Sequence, residues 1–313
     1  MDLPVHPPDI ETAARRIEHH VRRTPVIDVE LPGCPTPVAL KLELLQHTGS
    51  FKPRGAFNRV LSSEVPEVGV IAASGGNHGL AVAYVATRLG HRAEIFVPES
   101  SPAIKVDRLR SFGPSVVVEV AGEHYADAQE ASTRRAVETD ALVVHPYEQV
   151  EVIAGQATMA KELTEQVPDV DTVVIAVGGG GLIAGAICWL GDRTRIVAVE
   201  PERSSALGAA LAAGRPVDVE VGGVSADSLG ARRVGDLAFA AARAVGVEHV
   251  VVTDDHIRAA QHHLWRDVRL VAEPGGATAL AALLAGRYRP EPGERVAVVV
   301  CGANTDPSTV ADG

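Results

Sequence analysis

Short runs rich in Val and Ile alternate with longer Ala-rich stretches of helical spacing along nearly the whole chain, which restricts the fold to the α/β class. Strands are expected near 38–42, 68–73, 93–97, 115–119 and 142–145, then at 172–177, 195–199, 248–252 and 295–301. Helices are expected near 54–62, 77–89, 102–111, 124–138, 151–165, from about 180, and at 231–245, 254–267 and 276–286. Asp9 reads as the cap of an N-terminal helix whose apolar positions are Ile10, Ala13, Ile17 and Val21. Strands separated by helices imply a parallel sheet, because a crossover helix must carry the chain back before the next strand can run in the same direction. With 313 residues, 46% of them hydrophobic, the chain has enough apolar material for one large or two medium domains.

A formal charge of −11 and a pI near 5.5 leave no concentrated basic face, so nucleic acid is not an expected partner. No apolar run reaches membrane-spanning length, and residues 1–10 carry acids and prolines where a signal peptide would be basic and then apolar. Cys34, Cys188 and Cys301 lack metal-type spacing, which fits free thiols in a reducing cytoplasm. The adjacent pairs His19-His20 and His262-His263 point in different directions on a helix and read as solvated faces.

Three turns at strand ends carry the chemistry, since ligands of open α/β sheets gather at the carboxyl ends of strands. Ser74-Gly75-Gly76-Asn77-His78-Gly79 follows an apolar strand and opens a helix, as an anion cradle does; an ordinary turn capped by Asn77 would use the same residues. Gly178-Gly179-Gly180-Gly181-Leu182 follows the strand at 172–177, and four residues without Cβ permit close backbone approach to a phosphate. It lacks the Lys-Ser/Thr ending of a P-loop and the dinucleotide spacing. The third, Thr48 to Ala56, places Lys52 between a strand ending at Glu43 and a helix, with Pro53 suited to the first helical position. A lysine, an Asn turn and a phosphate-type turn together describe an aldehyde cofactor with a phosphate tail, held through an amine of lowered pKa.

With the segments Ser50-Phe51-Lys52-Pro53-Arg54-Gly55-Ala56, Ser74–Gly79, His145-Pro146, Ile153–Gln156, Gly178–Leu182, Val199-Glu200-Pro201, Glu273-Pro274 and Cys301–Asn304 in this order, the sequence resembles the fold type II pyridoxal-phosphate enzymes of the threonine dehydratase and serine racemase group. The resemblance covers essentially the whole chain. It implies a fold like that of the tryptophan synthase β-subunit, with two open, twisted, mainly parallel sheets and flanking helices. It implies pyridoxal 5′-phosphate in Schiff-base linkage to Lys52, its phosphate held by Gly178, Gly179, Gly180, Gly181 and Leu182, and its 3′-oxygen bonded by Asn77. Phe51 would lie near the ring, and Cys301 would face the pyridine nitrogen as a weak donor. The substrate carboxylate would be held by Ser74, Gly75, Gly76, Asn77 and His78.

The implied reaction is deamination of L-threonine or L-serine by loss of the β-hydroxyl, with Lys52 removing the Cα proton and the cofactor phosphate protonating the leaving group. The products are 2-oxobutanoate or pyruvate, plus ammonia. Racemases of the group place a serine where this chain has Gly75, so elimination is the expected outcome. The group's cation site matches Glu200, but the aspartate expected six residues on is Ala206, which leaves that site short of a ligand. At Ser225–Gly230, where relatives have an Ala-Asp-Gly stretch, a side chain is expected to enter the pocket; Tyr147 receives no role.

The expected domains are a large cofactor-binding one, 1–68 with 147–313, and a small mobile one, 69–146, that clamps the substrate. A homodimer or homotetramer is implied. The chain ends soon after Cys301, so the regulatory domain and isoleucine feedback of biosynthetic threonine dehydratases are not expected. The rival readings are another β-elimination or β-replacement enzyme, such as a hydroxyaspartate dehydratase, and a catalytically silent amino-acid-binding protein.

Overall fold

The Val/Ile runs form strands with little exposed surface: Val38–Lys41, Val70–Ala73, Thr172–Ala176 and Val296–Val299 are buried at every position. Runs buried on both faces belong to parallel sheets covered by helices on either side. The computed structural model describes residues 3–311, so residues 1–2 and 312–313 of the expected large domain lie outside it.

In chain order the strands are β1 (Val26–Val29), β2 (Val38–Lys41), β3 (Val70–Ala73), β4 (Ala93–Val97), β5 (Val116–Val120), β6 (Leu142–Val143), β7 (Thr172–Ala176), β8 (Arg195–Pro201), β9 (Glu248–Val252) and β10 (Val296–Val299). The helices are α1 (Pro7–Ile17), α2 (Pro53–Leu61), α3 (Asn77–Leu89), α4 (Ala103–Arg110), α5 (Tyr125–Thr139), α6 (Val150–Gln166), α7 (Gly181–Leu190), α8 (Ala206–Ala213), α9 (Ala226–Leu229), α10 (Asp236–Val245), α11 (Asp254–His263), α12 (Pro274–Leu284) and α13 (Ser308–Ala311).

The strands make two sheets. One has six strands in the order β1-β2-β10-β7-β8-β9, the other four in the order β5-β4-β3-β6. Every pairing is parallel except β1 with β2, an antiparallel edge whose four residues, VIDV, gave no usable periodicity in the sequence. The larger core collects around β2, β7, β8 and β10; the smaller sheet carries separate clusters on its two faces.

Several boundaries differ from expectation. Asp9 is not the cap of α1: His6 is, and the Asp9 carboxylate reaches back to accept from the His6 N–H at 3.1 Å. Val21 lies past the end of that helix, while Ile10, Ala13 and Ile17 form its buried face. The helix expected at 231–245 starts only at Asp236. Residues ahead of it pack on the tetraglycine turn, where Gly235 N–H donates to the Gly179 carbonyl at 3.1 Å, and this tertiary contact overrides local propensity.

Candidate active site

Strands β2, β10 and β7 are adjacent and parallel, and the segments leaving their carboxyl ends carry Lys52, Cys301 and Gly178–Gly181 respectively. The smaller sheet contributes from its own carboxyl ends: Ser74–Gly79 follows β3, and His145–Tyr147 follows the neighbouring β6. Chain reversals at parallel strand ends therefore bring into one cleft residues that lie up to 249 positions apart in sequence, from Lys52 to Cys301.

The approach to Lys52 is not a simple strand-to-helix turn. The strand ends at Lys41, two short 3₁₀ turns follow, and Thr48 takes a left-handed φ of 60° before α2 begins at Pro53. Backbone bonds fasten this segment to the Cys301 loop: Phe51 N–H donates to the Cys301 carbonyl at 3.1 Å, and Ala303 N–H donates to the Gly49 carbonyl at 2.8 Å. The Lys52 Nζ donates to the Pro146 carbonyl at 2.7 Å and sits 5.1 Å from the centre of the Phe51 ring. Burial lowers its amine from 10.5 to about 8, against the opposing attraction of the Glu273 carboxylate.

The tetraglycine turn is shaped for an anion. Gly180 has φ +96°, a conformation natural to glycine, and α7 begins immediately after it. Among the described residues none of the N–H groups from Gly178 to Leu182 has a protein acceptor, as expected at the open end of a helix. A Cβ would not fit in the turn: on Gly178 it would come within 3.0 Å of the Leu229 backbone, on Gly181 within 2.9 Å of Tyr147, and on Gly179 it would overlap the Tyr147 ring.

One pocket of about 490 Å³, counted to its open mouth, is lined by Phe51, Lys52, Asn77, Gly178–Leu182 and Cys301. These are all the residues the sequence assigned to the cofactor. The pocket wall also includes Tyr147, Ser228, Leu229, Gly275 and Glu273. From the stretch Ser225–Gly230 both Ser228 and Leu229 reach the pocket wall, and the Ser228 hydroxyl accepts from Gly275 N–H at 3.1 Å. Cys301 is buried and donates to the Gly275 carbonyl at 3.4 Å; burial pushes its thiol up to about 12, so it stays neutral.

A profile of the pyridoxal-phosphate dependent enzyme family matches residues 17–302. The chain belongs to the pyridoxal-phosphate-dependent enzymes. It is 38% identical to the L-threonine ammonia-lyase of Thermotoga maritima over 307 residues, 95% of this chain and 75% of that protein. It is 36% identical to the phenylserine dehydratase of Ralstonia pickettii, over 97% of this chain and 95% of the other. Its fold matches maize serine racemase with a TM-score of 0.92 and 30% identity, covering 99% and 96% of the two chains.

The pocket of this pyridoxal-phosphate enzyme suits that cofactor on its own evidence: a buried amine of lowered pKa stands in the same cavity as a glycine turn whose N–H groups lack acceptors. The substrate turn is less uniform. Of its residues only Asn77 lines the pocket, as the first residue of α3, with Gly76 as the cap. The Ser74 hydroxyl accepts from Gly76 N–H at 3.2 Å. The buried His78 ring meets the Val144 carbonyl at 2.7 Å, which leaves only its backbone N–H for an anion; burial lowers the imidazole to about 3. Gly75 faces Ser101 and Val97, with no side chain of its own to act as a base.

The carboxylate of Glu200, which the resemblance matches to a cation site, is bonded by protein groups. The two oxygens accept from Leu207 N–H and Gly208 N–H at 2.8 Å each, from the Ser205 hydroxyl at 2.9 Å, and meet His249 Nε2 at 2.8 Å. Glu200 thus caps α8 from beneath, and its acceptor sites are occupied by protein. Among the described residues no helix is long and apolar enough to cross a membrane.

Glu273 has no role in the expected site, although Glu273-Pro274 is one of the segments that carry the resemblance. Its carboxylate is buried, accepts from Asn77 Nδ2 at 2.6 Å, and is pushed up to about 7 by burial.

Proposed function

We propose that this enzyme is an ammonia-lyase that removes water from a small β-hydroxy-α-amino acid, L-threonine or L-serine, giving 2-oxobutanoate or pyruvate and ammonia. The observation that carries this reading is the Lys52 amine, lowered to about 8, in one pocket with the Gly178–Gly181 turn. The names of the similar ammonia-lyase and dehydratase support the choice of elimination.

When bound, pyridoxal phosphate would supply an electron sink for the charge left at Cα once its proton is removed. Lys52 Nζ would hold the cofactor and, as a neutral amine, would serve as the base that takes the Cα proton of the bound amino acid. The free N–H groups of Gly178 to Leu182 would hold the phosphate, and the Asn77 amide would bond the 3′-oxygen. Cys301, a neutral thiol in the pocket wall, would offer a bound cofactor no acidic partner, which would moderate the electron sink and favour expulsion of the β-hydroxyl. The leaving hydroxyl departs as water; the enamine product tautomerises and takes up one water to give 2-oxo acid and ammonia. Gly75 provides no second base, so racemisation is a minor outcome.

The turn Ser74–His78 would bind the substrate carboxylate through backbone N–H groups and the Ser74 hydroxyl. We further propose that segment 69–146 closes over the pocket when that carboxylate binds, excluding water from the Cα carbanion. Lys105 on α4 and Asp227 on α9 already meet across the cleft at 2.8 Å, a contact that suits a closed position.

The test is to reconstitute purified protein with pyridoxal phosphate and measure 2-oxo acid and ammonia from L-threonine, L-serine, L-threo-3-hydroxyaspartate and phenylserine, with Lys52→Ala as control. Equimolar 2-oxo acid and ammonia from L-threonine or L-serine supports the reading. Turnover of hydroxyaspartate or phenylserine alone replaces the substrate, and a visible band without turnover of any amino acid replaces the enzyme by a binding protein.

A further inference from the structure

Asn77 does not stand free in the pocket wall. Its Nδ2 donates to Glu273 Oε1 at 2.6 Å, and its Oδ1 accepts from Asn304 Nδ2 at 2.6 Å. The second partner fixes the sense of the amide: Asn304 Nδ2 also donates to the Thr48 carbonyl at 2.8 Å, and a carbonyl only accepts. With Oδ1 committed to Asn304 and one amide hydrogen to Glu273, a single amide hydrogen of Asn77 remains for a ligand.

Glu273 is held as firmly as it holds. It occupies the position just before the first residue of α12, its own N–H donates to the Gly302 carbonyl at 3.1 Å, and a Cβ at Gly302 would collide with its carboxylate. The Asn77–Glu273 bond also joins the two sheets, since α3 follows β3 of the smaller one and α12 belongs to the larger unit. The groups acting on this carboxylate are Asn77 from α3, Lys105 from α4, Asp227 from α9 and the Asn304 backbone; it in turn acts on Lys52 and Cys301.

We propose that Glu273 is a positioning residue for the reaction: it holds the Asn77 amide so that its one remaining hydrogen is presented to the 3′-oxygen of the cofactor, and it ties the two halves of the cleft at that point. This rests on reading the pocket as the cofactor site. Glu273 lines the same pocket as Lys52 and Asn77, so the spectrum of a cofactor bound there would report its charge. Burial already places its titration near neutrality.

The experiment is spectral and binding titration of pyridoxal phosphate with wild type, Glu273→Ala, Glu273→Gln, Asn77→Ala and the Glu273→Ala/Asn77→Ala double variant, with circular dichroism to confirm folding. Wild type is expected to develop a visible band that shifts between pH 6 and pH 8. Glu273→Ala should bind about tenfold more weakly, the size of one charge-assisted hydrogen bond, with a displaced band. Asn77→Ala should match it, and the double variant should be no worse than either single one. Glu273→Gln keeps an acceptor for Asn77, so it should restore affinity and band position while losing the pH-dependent shift. Wild-type affinity and band in Glu273→Ala, or additive losses in the double variant, would overturn the proposal while leaving the cofactor site intact. No visible band in wild type would overturn the cofactor reading itself. Should Glu273→Ala not fold, the glutamine variant alone decides: persistence of the pH-dependent shift removes Glu273 as its source.

Discussion

Arg54 and Glu43 are joined in the interior by two hydrogen bonds, Nε to Oε2 at 2.8 Å and Nη2 to Oε1 at 2.7 Å, with both side chains at most 1% exposed. Arg54 lies two residues after Lys52, at the start of α2, and Glu43 lies two residues after the end of β2. The bidentate pair clamps the two ends of the looped segment between them, and Glu162 adds a further contact to Arg54 at 3.1 Å. Although burial opposes charge, the Arg54 guanidinium holds the Glu43 carboxyl below its ordinary value.

Removing one partner leaves the other charged and buried. Arg54→Ala or Glu43→Gln should therefore destabilise the protein by about 3–5 kcal/mol. Urea unfolding followed by fluorescence measures this. A loss below about 1 kcal/mol, the size of a surface pair, would mean the pair is not acting as an interior clamp.

Capture of pyridoxal phosphate by Lys52 requires the neutral amine, so the pKa near 8 sets the pH dependence. About one amine in ten is neutral at pH 7, against roughly one in several thousand for an ordinary lysine at 10.5. The rate of visible-band formation should rise about tenfold from pH 6 to pH 7 and level off above pH 8. A rate still climbing steeply at pH 10 would contradict the lowered pKa; Lys52→Ala should show no band and no borohydride-fixed adduct.

Gly180→Ala forces a left-handed φ of +96° on a residue with a side chain and drives its Cβ into Ala238. The strain alone is about 1–2 kcal/mol, read as a lower Tm. Cofactor affinity should fall about tenfold or more, because the N–H groups of the turn shift together. Isothermal titration with pyridoxal phosphate checks it; unchanged affinity would remove this turn as the phosphate cradle.

Burial pushes His78 down to about 3 and His145 to about 4, from 6.5. Both are neutral in the folded chain and become charged more readily when unfolded, so their contribution is fully present above pH 6.5 and is lost as pH falls toward those folded values. Glu273, raised to about 7 from 4.5, acts in the opposite sense: its contribution is full below pH 4.5 and is lost as pH rises through 7. Tm should drop between pH 6.5 and pH 4.5, and His78→Gln should flatten that drop. Glu273→Gln should deepen that drop, because it removes a gain of opposite sign that builds up as pH falls from 7 to 4.5. Melting curves of both variants that coincide with wild type from pH 7 to pH 4.5 would refute these assignments.

Alternating Val/Ile and Ala-rich stretches were enough to read the α/β class and all but one of the strands, because periodicity and burial are local signals. The glycines of residues 178–181 and the lysine before Pro53 were legible for the same reason: absence of a Cβ and a proline at a helix start leave marks in the chain itself. The short edge strand Val26–Val29, the delayed start of α10 and the capping of α8 by Glu200 were not legible, since each depends on a partner far away in sequence. The same holds for Glu273. Its chemistry comes from burial beside Asn77, 196 residues away, and only the parallel order β2-β10-β7 with β3 facing it brings those two side chains within a hydrogen bond. Sequence determined which groups the protein carries and where its backbone can turn; tertiary structure decided which are dry and which touch, because desolvation and hydrogen bonding act between residues brought together only by folding.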